Sequence, residues 1–328
     1  MPPDEAELVA DNLVEADLRG IDSHGTNLLA LYVSRLESGH LRPTTAVSVV
    51  RDDGSTVVLD GGLGFGQVAG RHAIDLAVDR GRAHGVAAVA VRESTHLGAL
   101  ATYTERAAHA GIFAMAFQNG PTIVPPFGGL TPFMSTNPFS YAVPAGDEPP
   151  IVYDVATTTV AGNKIILAKK RGDSTIPSGW ANDDAGRPTT DTAAASVHHL
   201  QWFGGHKGYG IALLVELLAG VLAGSCFGHT EHTASLLHGA DRIAKGYVFL
   251  TLDVDRFVPV AEFRRQVDAL IRDVHAGERA VGVEAVLVPG ELEYRRRAER
   301  LRAGIPLSVP LIDEIDGLAR AAGVAPLR

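Results

Sequence analysis

The chain has 328 residues, 46% of them hydrophobic and 20% charged, which is length enough for a sizeable core in one to three domains. A formal net charge of -9, from 29 basic and 38 acidic residues, excludes the electrostatic footprint of a nucleic-acid binder or of an anionic-membrane binder. The lone Cys226 excludes an internal disulfide and a cysteine-built metal site.

In chain order, Glu5 to Arg19 and Leu28 to Leu36 carry apolar residues at helical spacing. Between them lies GIDSHG, whose aspartate, serine and glycines are poor helix-interior choices, so a junction is expected there. From Ser48, two β-rich runs flank Asp53-Gly54 and predict a hairpin. Gly70 to His84 reads as a helix, followed by a buried strand, GVAAVAVRES, that empties into Ser94-Thr95-His96. Leu100 to Ala110 is a further helix and IFAMAFQN a further buried strand, ending at Gln118 and Asn119.

Residues 119 to 205 are rich in Gly, Pro, Thr and Asn; PIVYDVA reads as a strand there, and helix signals are few. Loops this long in a compact protein carry function more often than not. Lys207 to Leu222 is the most apolar helix, YVFLTLDV a late strand, Val260 to His275 a helix, VEAVLVP a strand and Leu292 to Ala303 the closing helix. The class is α/β or α+β with mixed strand order, because hairpins and βα units coexist.

Several motifs invite chemistry. GLGFGQVAG does not give the G-x-G-x-x-G spacing of a dinucleotide fingerprint and follows a hairpin strand, so a glycine-rich turn is the better reading. His24 and His96 stand out among the 13 histidines because each ends an element between small residues, where a ring can project into a cleft. No H-x-x-x-H spacing with a carboxylate supports a metal, and no G-x-S-x-G elbow supports a hydrolase. Asp154 to Thr158 ends a strand in polar residues, and GGHKGYG sets Lys207 at a helix start, where backbone N–H groups and a lysine suit phosphate. A tight turn with a solvated lysine accounts for GGHKGYG equally well.

GIDSHG, STHLGA, PPFGG, STNPFSYAVPAG, DVATTTVAGNK, IPSGWANDDAGRPTTD, GGHKGYGIALLVELLAG and VPGE together, in this order and over nearly the whole chain, resemble the type 2 malate/L-lactate dehydrogenase family. That family includes ureidoglycolate dehydrogenase, sulfolactate dehydrogenase, diketogulonate reductase and a cyclic-imine reductase. The resemblance implies a non-Rossmann α/β fold with a mixed sheet and an N- and C-terminal helical region. It implies residues 1–50 with 291–328 as that helical region, 51–118 with 245–290 as a substrate and catalytic region, and 119–244 as a cofactor-binding region.

It further implies hydride transfer between NAD or NADP and a small 2-hydroxy or 2-oxo acid, in a homodimer; the acidic MPPDEAELVAD without an apolar signal core, and apolar runs too short for a membrane span, read as cytoplasmic. His96 would be the acid/base group, with His24 able to share or take that role and Ser23 beside it in the substrate pocket. Asn119, Asp154, Val155, Ala156, Thr157, Thr158, His206, Lys207, Gly290 and Glu291 would hold the cofactor. A reductase of a cyclic imine carboxylate, and a cofactor-binding protein without turnover, are the alternatives. One departure bears on substrate: family members commonly place an arginine four or five residues after the SHG histidine for the substrate carboxylate, and here Leu28 and Leu29 occupy that region. Another cation has to serve, with Arg35 and Arg71 unassignable from spacing, or the substrate differs.

Overall fold

In the computed structural model of the protein, which describes residues 1–228 and 244–328, Asp53-Gly54 closes the expected hairpin. β1 (Ser48–Asp52) pairs antiparallel with β2 (Thr56–Asp60), and Gly54 takes the positive φ of +80° that the turn requires. β2 then runs parallel to β3 (Val86–Ser94) across the crossover helix α3 (Gly66–His84). The remaining strands join antiparallel: β9 (Lys245–Asp253) between β3 and β4 (Ile112–Gln118), then β5 (Phe139–Val143) and β6 (Ile151–Val155). The sheet therefore reads β1-β2-β3-β9-β4-β5-β6, with one parallel pair in a mostly antiparallel frame. This is the mixed, non-Rossmann α/β arrangement anticipated from the sequence.

Small residues on α3 let it lie close on the sheet. Ala69, Ala73, Ile74 and Ala77 recur at helical spacing and are fully buried against Val89, Val91 and Phe249. The helix α4 (Ala101–His109) covers the neighbouring strands. α3 starts four residues before the expected Gly70, because Gly66 abuts the turn after β3. Its N–H donates to Thr95 Oγ1 at 2.9 Å, and a Cβ on Gly66 would lie 2.4 Å from the carbonyl oxygens of both Thr95 and His96. The glycines of GLGFGQVAG thus seat the His96 turn. Gly66→Ala should lower stability by about 1–3 kcal/mol through overpacking, read as a shift of the denaturant midpoint.

A second core gathers Val124, Met134, Ile165, Ala168, Leu200 and Trp202. It includes α5 (Gly162–Arg171), which the sequence reading missed in its Gly- and Pro-rich surroundings; among its described side chains Ile165 and Ala168 mark the buried side, and Gly172 ends it at φ +75°. The short strands β7 (Ala181–Asn182) and β8 (Pro188–Thr189) pair beside it. α6 (His206–Glu216) continues into a π-helical stretch, Leu217–Leu222. Residues 229–243 of the region read as cofactor-binding lie outside the described residues.

One expected strand is absent. Residues 283–289, VEAVLVP, are extended without a ladder: the backbone bond to the sheet here is from Val152 N–H to Pro289 O, at 3.2 Å. Val283 is exposed, Val288 is buried, and Pro289 has no N–H to offer a partner. After α7 (Val260–Ala276), the helices α8 (Glu291–Ala303) and α9 (Val309–Ala321) close the chain, the last without a sequence expectation. α8 packs on the N-terminal helix α1 (Pro3–Leu18), and α9 on α2 (Leu29–Glu37).

Candidate active site

The GIDSHG junction is built by Asp17. Gly20 ends α1 with φ +76°. The buried Asp17 carboxylate then accepts hydrogen bonds from Thr26 N–H at 2.9 Å and Thr26 Oγ1 at 2.7 Å. A Cβ on Gly25 would lie 1.7 Å from Asp17 Oδ1, so only glycine admits this approach. Asp22–His24 and Thr26–Leu28 consequently form two tight 3-10 turns in place of a continuous helix. Ser23 and His24 face the interior of a cleft, with Ser23 Oγ 2.9 Å from His24 Nδ1.

His96 reaches the same place from the other direction. The turn after β3 is held by Ser94 Oγ, 2.8 Å from Tyr247 Oη, and by Thr95 Oγ1, which donates to Gly64 O at 2.8 Å. The two imidazoles stack with centroids 5.3 Å apart and planes at 28°, although they are 72 positions apart in the chain. Gly98 N–H donates to His96 Nδ1 at 3.2 Å. A backbone N–H can only donate, so Nδ1 carries the lone pair and the ring proton belongs on Nε2. Tyr32 Oη, 3.1 Å from the same Nδ1, receives the Gln67 Nε2 N–H at 2.8 Å and is free to donate onward.

Burial sets the electrostatics. It holds His96 well below the usual imidazole range, aided by the nearby Lys245, His24 and Arg35 charges. His24 is lowered by burial and by Lys245, and burial pushes the Tyr32 hydroxyl up to about 12. Both rings are therefore neutral at physiological pH. Among the described residues, no cluster of three His, Cys, Asp or Glu side chains could hold a metal ion.

The cleft has a volume of about 920 Å³, at the upper end of small-molecule sites, which span about 300–1,000 Å³. Ser23 and His24 line it, as do Asp154, Val155, Ala156, Thr158 and Gly290. Thr157 is fully buried and instead donates through Oγ1 to Thr136 O at 2.7 Å. The Asp154 carboxylate accepts Ala101 N–H at 2.7 Å at the start of α4. Burial raises it to about 6, against the lowering effect of the Ala101 and Leu100 N–H groups. Gly290, at φ +96°, allows the 289–290 turn to close on β6, since a Cβ there would lie 2.9 Å from Val152 O.

Four expected cofactor residues stand elsewhere. Asn119 is buried as a clamp, its Nδ2 donating to Cys226 O at 2.6 Å and its Oδ1 accepting Gly246 N–H at 3.0 Å. His206 and Lys207 are exposed at the start of α6 and do not line the cleft. Glu291 accepts Val288 N–H at 3.0 Å and pairs with His275 Nε2 at 2.7 Å. Sequence reasoning in turn missed Tyr32, Gln67 and Lys164. Lys164 lines the cleft from α5, its ammonium 5.8 Å from the Trp180 ring centroid; the GNK motif was its only signal.

The family model described as malate/L-lactate dehydrogenase matches residues 1–316. A malate dehydrogenase of Pyrococcus abyssi is 33% identical over 98% of this chain and 90% of its own length. Among solved structures, malate dehydrogenase from Entamoeba histolytica superposes with a TM-score of 0.93 at 27% identity, covering 100% of this chain and 94% of that one. The sulfolactate dehydrogenase of Methanocaldococcus jannaschii gives 0.91 at 34% identity, covering 99% and 92%.

Proposed function

Because the chain belongs to the malate/L-lactate dehydrogenase family and is a nicotinamide-dependent oxidoreductase of small 2-hydroxy and 2-oxo acids, we propose that His96 is the group that meets the reacting oxygen. The observation that carries this reading is the stacked pair of rings, 5.3 Å apart, of which His24 lines a cleft of about 920 Å³. When bound, the nicotinamide supplies or removes hydride at the substrate's second carbon. The chain's own residues orient the oxygen and manage its proton.

With Nδ1 occupied by Gly98 N–H and Tyr32, His96 presents Nε2–H to a carbonyl oxygen. A neutral imidazole of depressed pKa can polarise a carbonyl in this way without first becoming cationic. His24, hydrogen-bonded to Ser23 and lining the cleft, is the second group able to move a proton. The backbone of Asp154, Val155, Ala156, Thr158 and Gly290 is proposed to face the cofactor, and Lys164 to meet one of its phosphates. The cleft suits such a ligand in size, in its polar backbone edges and in having a cation at its wall.

Lys164→Ala should weaken NADH or NADPH binding about tenfold, since a charge-assisted contact is lost, with substrate KM little changed; nicotinamide fluorescence titration measures it. The chain is proposed to act in the cytoplasm and as a homodimer, the pairing supported by the exposed row Leu214, Leu217, Val221 and Leu222 on α6 and its continuation. The functional reading is tested by following reduced-nicotinamide absorbance, with both cofactors, against oxaloacetate, pyruvate, sulfopyruvate and a cyclic imine carboxylate. Turnover on the 2-oxo acids is expected; turnover on the imine alone would overturn it.

A further inference from the structure

One buried charge, Lys245, forms no ion pair among the described residues. Lys245 opens β9, paired with Ser94 at the root of the turn that carries His96. It is 7% exposed. Its Nζ lies 3.7 Å from the point that a Cβ on Gly120 would occupy, beside the hydroxyl of Ser135, so the glycine leaves room for the ammonium at the end of β4.

No carboxylate among the described residues bonds to it. Asp17 is spent on Thr26, Glu216 on Asn137 and Gly228 N–H, Asp154 on the start of α4, and Glu105 on Arg19 and Tyr294. The charged or titratable groups that act on it or feel it are Arg35 from α2, His24 from the 3-10 turn and His96 from the turn after β3. All are cations or potential cations. An isolated ammonium in such surroundings is costly unless an anion joins it. Burial, with Arg35 second, accordingly lowers Lys245 to about 7.

We propose that Lys245 is the residue that binds the substrate's carboxylate, a role resting on the 2-hydroxy acid reading above. The stretch after SHG cannot supply it: Leu28 and Leu29 pack into the apolar cluster of Val9, Leu13 and Tyr32. A 2-oxo acid carries its carboxylate on the carbon next to the carbonyl. Pairing it with Lys245 on β9 therefore draws the carbonyl toward the two rings and supplies the missing counter-charge. Binding the anion favours the protonated lysine, so substrate uptake above neutral pH draws a proton with it.

The experiment compares the full-length wild type with Lys245→Met and Lys245→Arg on the best 2-oxo acid of the panel. Lys245→Met should raise its KM about 100-fold while the dissociation constant of the reduced cofactor moves less than about threefold. In the wild type, KM should climb about tenfold per pH unit above 7 as the lysine loses its proton. In Lys245→Met it should be high and flat, and in Lys245→Arg low and flat, because arginine stays charged. A Lys245→Met enzyme that folds, as judged by its thermal midpoint, and keeps the wild-type KM and pH slope overturns the proposal alone. A wild type inactive on every 2-oxo acid defeats the functional reading and this proposal together.

Discussion

His96→Ala should lower kcat by about 10²- to 10⁴-fold, the range spanned by a positioned proton donor or acceptor, while the dissociation constant of the reduced cofactor changes little. The expectation rests on how completely the ring is specified. Its Nδ1 meets a backbone donor from Gly98 and the Tyr32 hydroxyl, its turn is pinned by Thr95 and Ser94, and its second nitrogen is the one left for substrate. No neighbouring group has the same geometry. His24 is bonded at Nδ1 to Ser23, in a turn set by Asp17. Single-turnover kinetics with saturating cofactor, beside equilibrium titration of cofactor alone, separate chemistry from binding. If kcat survives the substitution, the proton-managing role passes to His24.

Arg19→Met should cost about 3–5 kcal/mol of folding stability, the range for breaking a buried ion pair from one side. Arg19 is 6% exposed and bonds Glu15 at 2.8 Å and also Glu105. Without it, Glu105 keeps the Tyr294 hydroxyl, 2.7 Å away, but loses its buried counter-charge. The carboxylate would then stay buried with its cation gone, and that is the source of the penalty. Urea titration of both proteins at neutral pH measures the deficit; a loss below about 1 kcal/mol would contradict this assignment.

Much of the frame could be read from the chain because its signals are local. The Asp53-Gly54 turn, the apolar periodicity of α3 and α4, and the strands that empty into polar residues each declare themselves within about ten positions. His24 and His96 were legible for the same reason: each ends an element among small residues. Lys164 and α5 were not, because two buried side chains among prolines and glycines are too weak a stripe. Tyr32, Gln67 and Lys245 carry no local mark at all. A tyrosine on an amphipathic helix, a glutamine inside a glycine-rich run and a lysine opening a strand become parts of one site only when the fold joins them. The strand expected at 283–289 failed for the converse reason: its apolar run is real, and the edge it meets offers a single backbone bond. Asn119 and Glu291 illustrate a further limit, since a polar residue at the end of an element can as well serve the backbone around it.

The clasp between α1 and α8 has a consequence for how the molecule is made. Arg297 meets Glu15 across 282 positions, and Arg300 meets Asp22 across 278, so the wall beside the His24 turn comes from a segment made long after the turn itself. Contacts of such wide sequence separation are the slowest to close. Until α8 has docked on α1, the turn bearing His24 lacks the facing wall at Gly290 and Leu292, so the cleft is completed only when these distant segments meet.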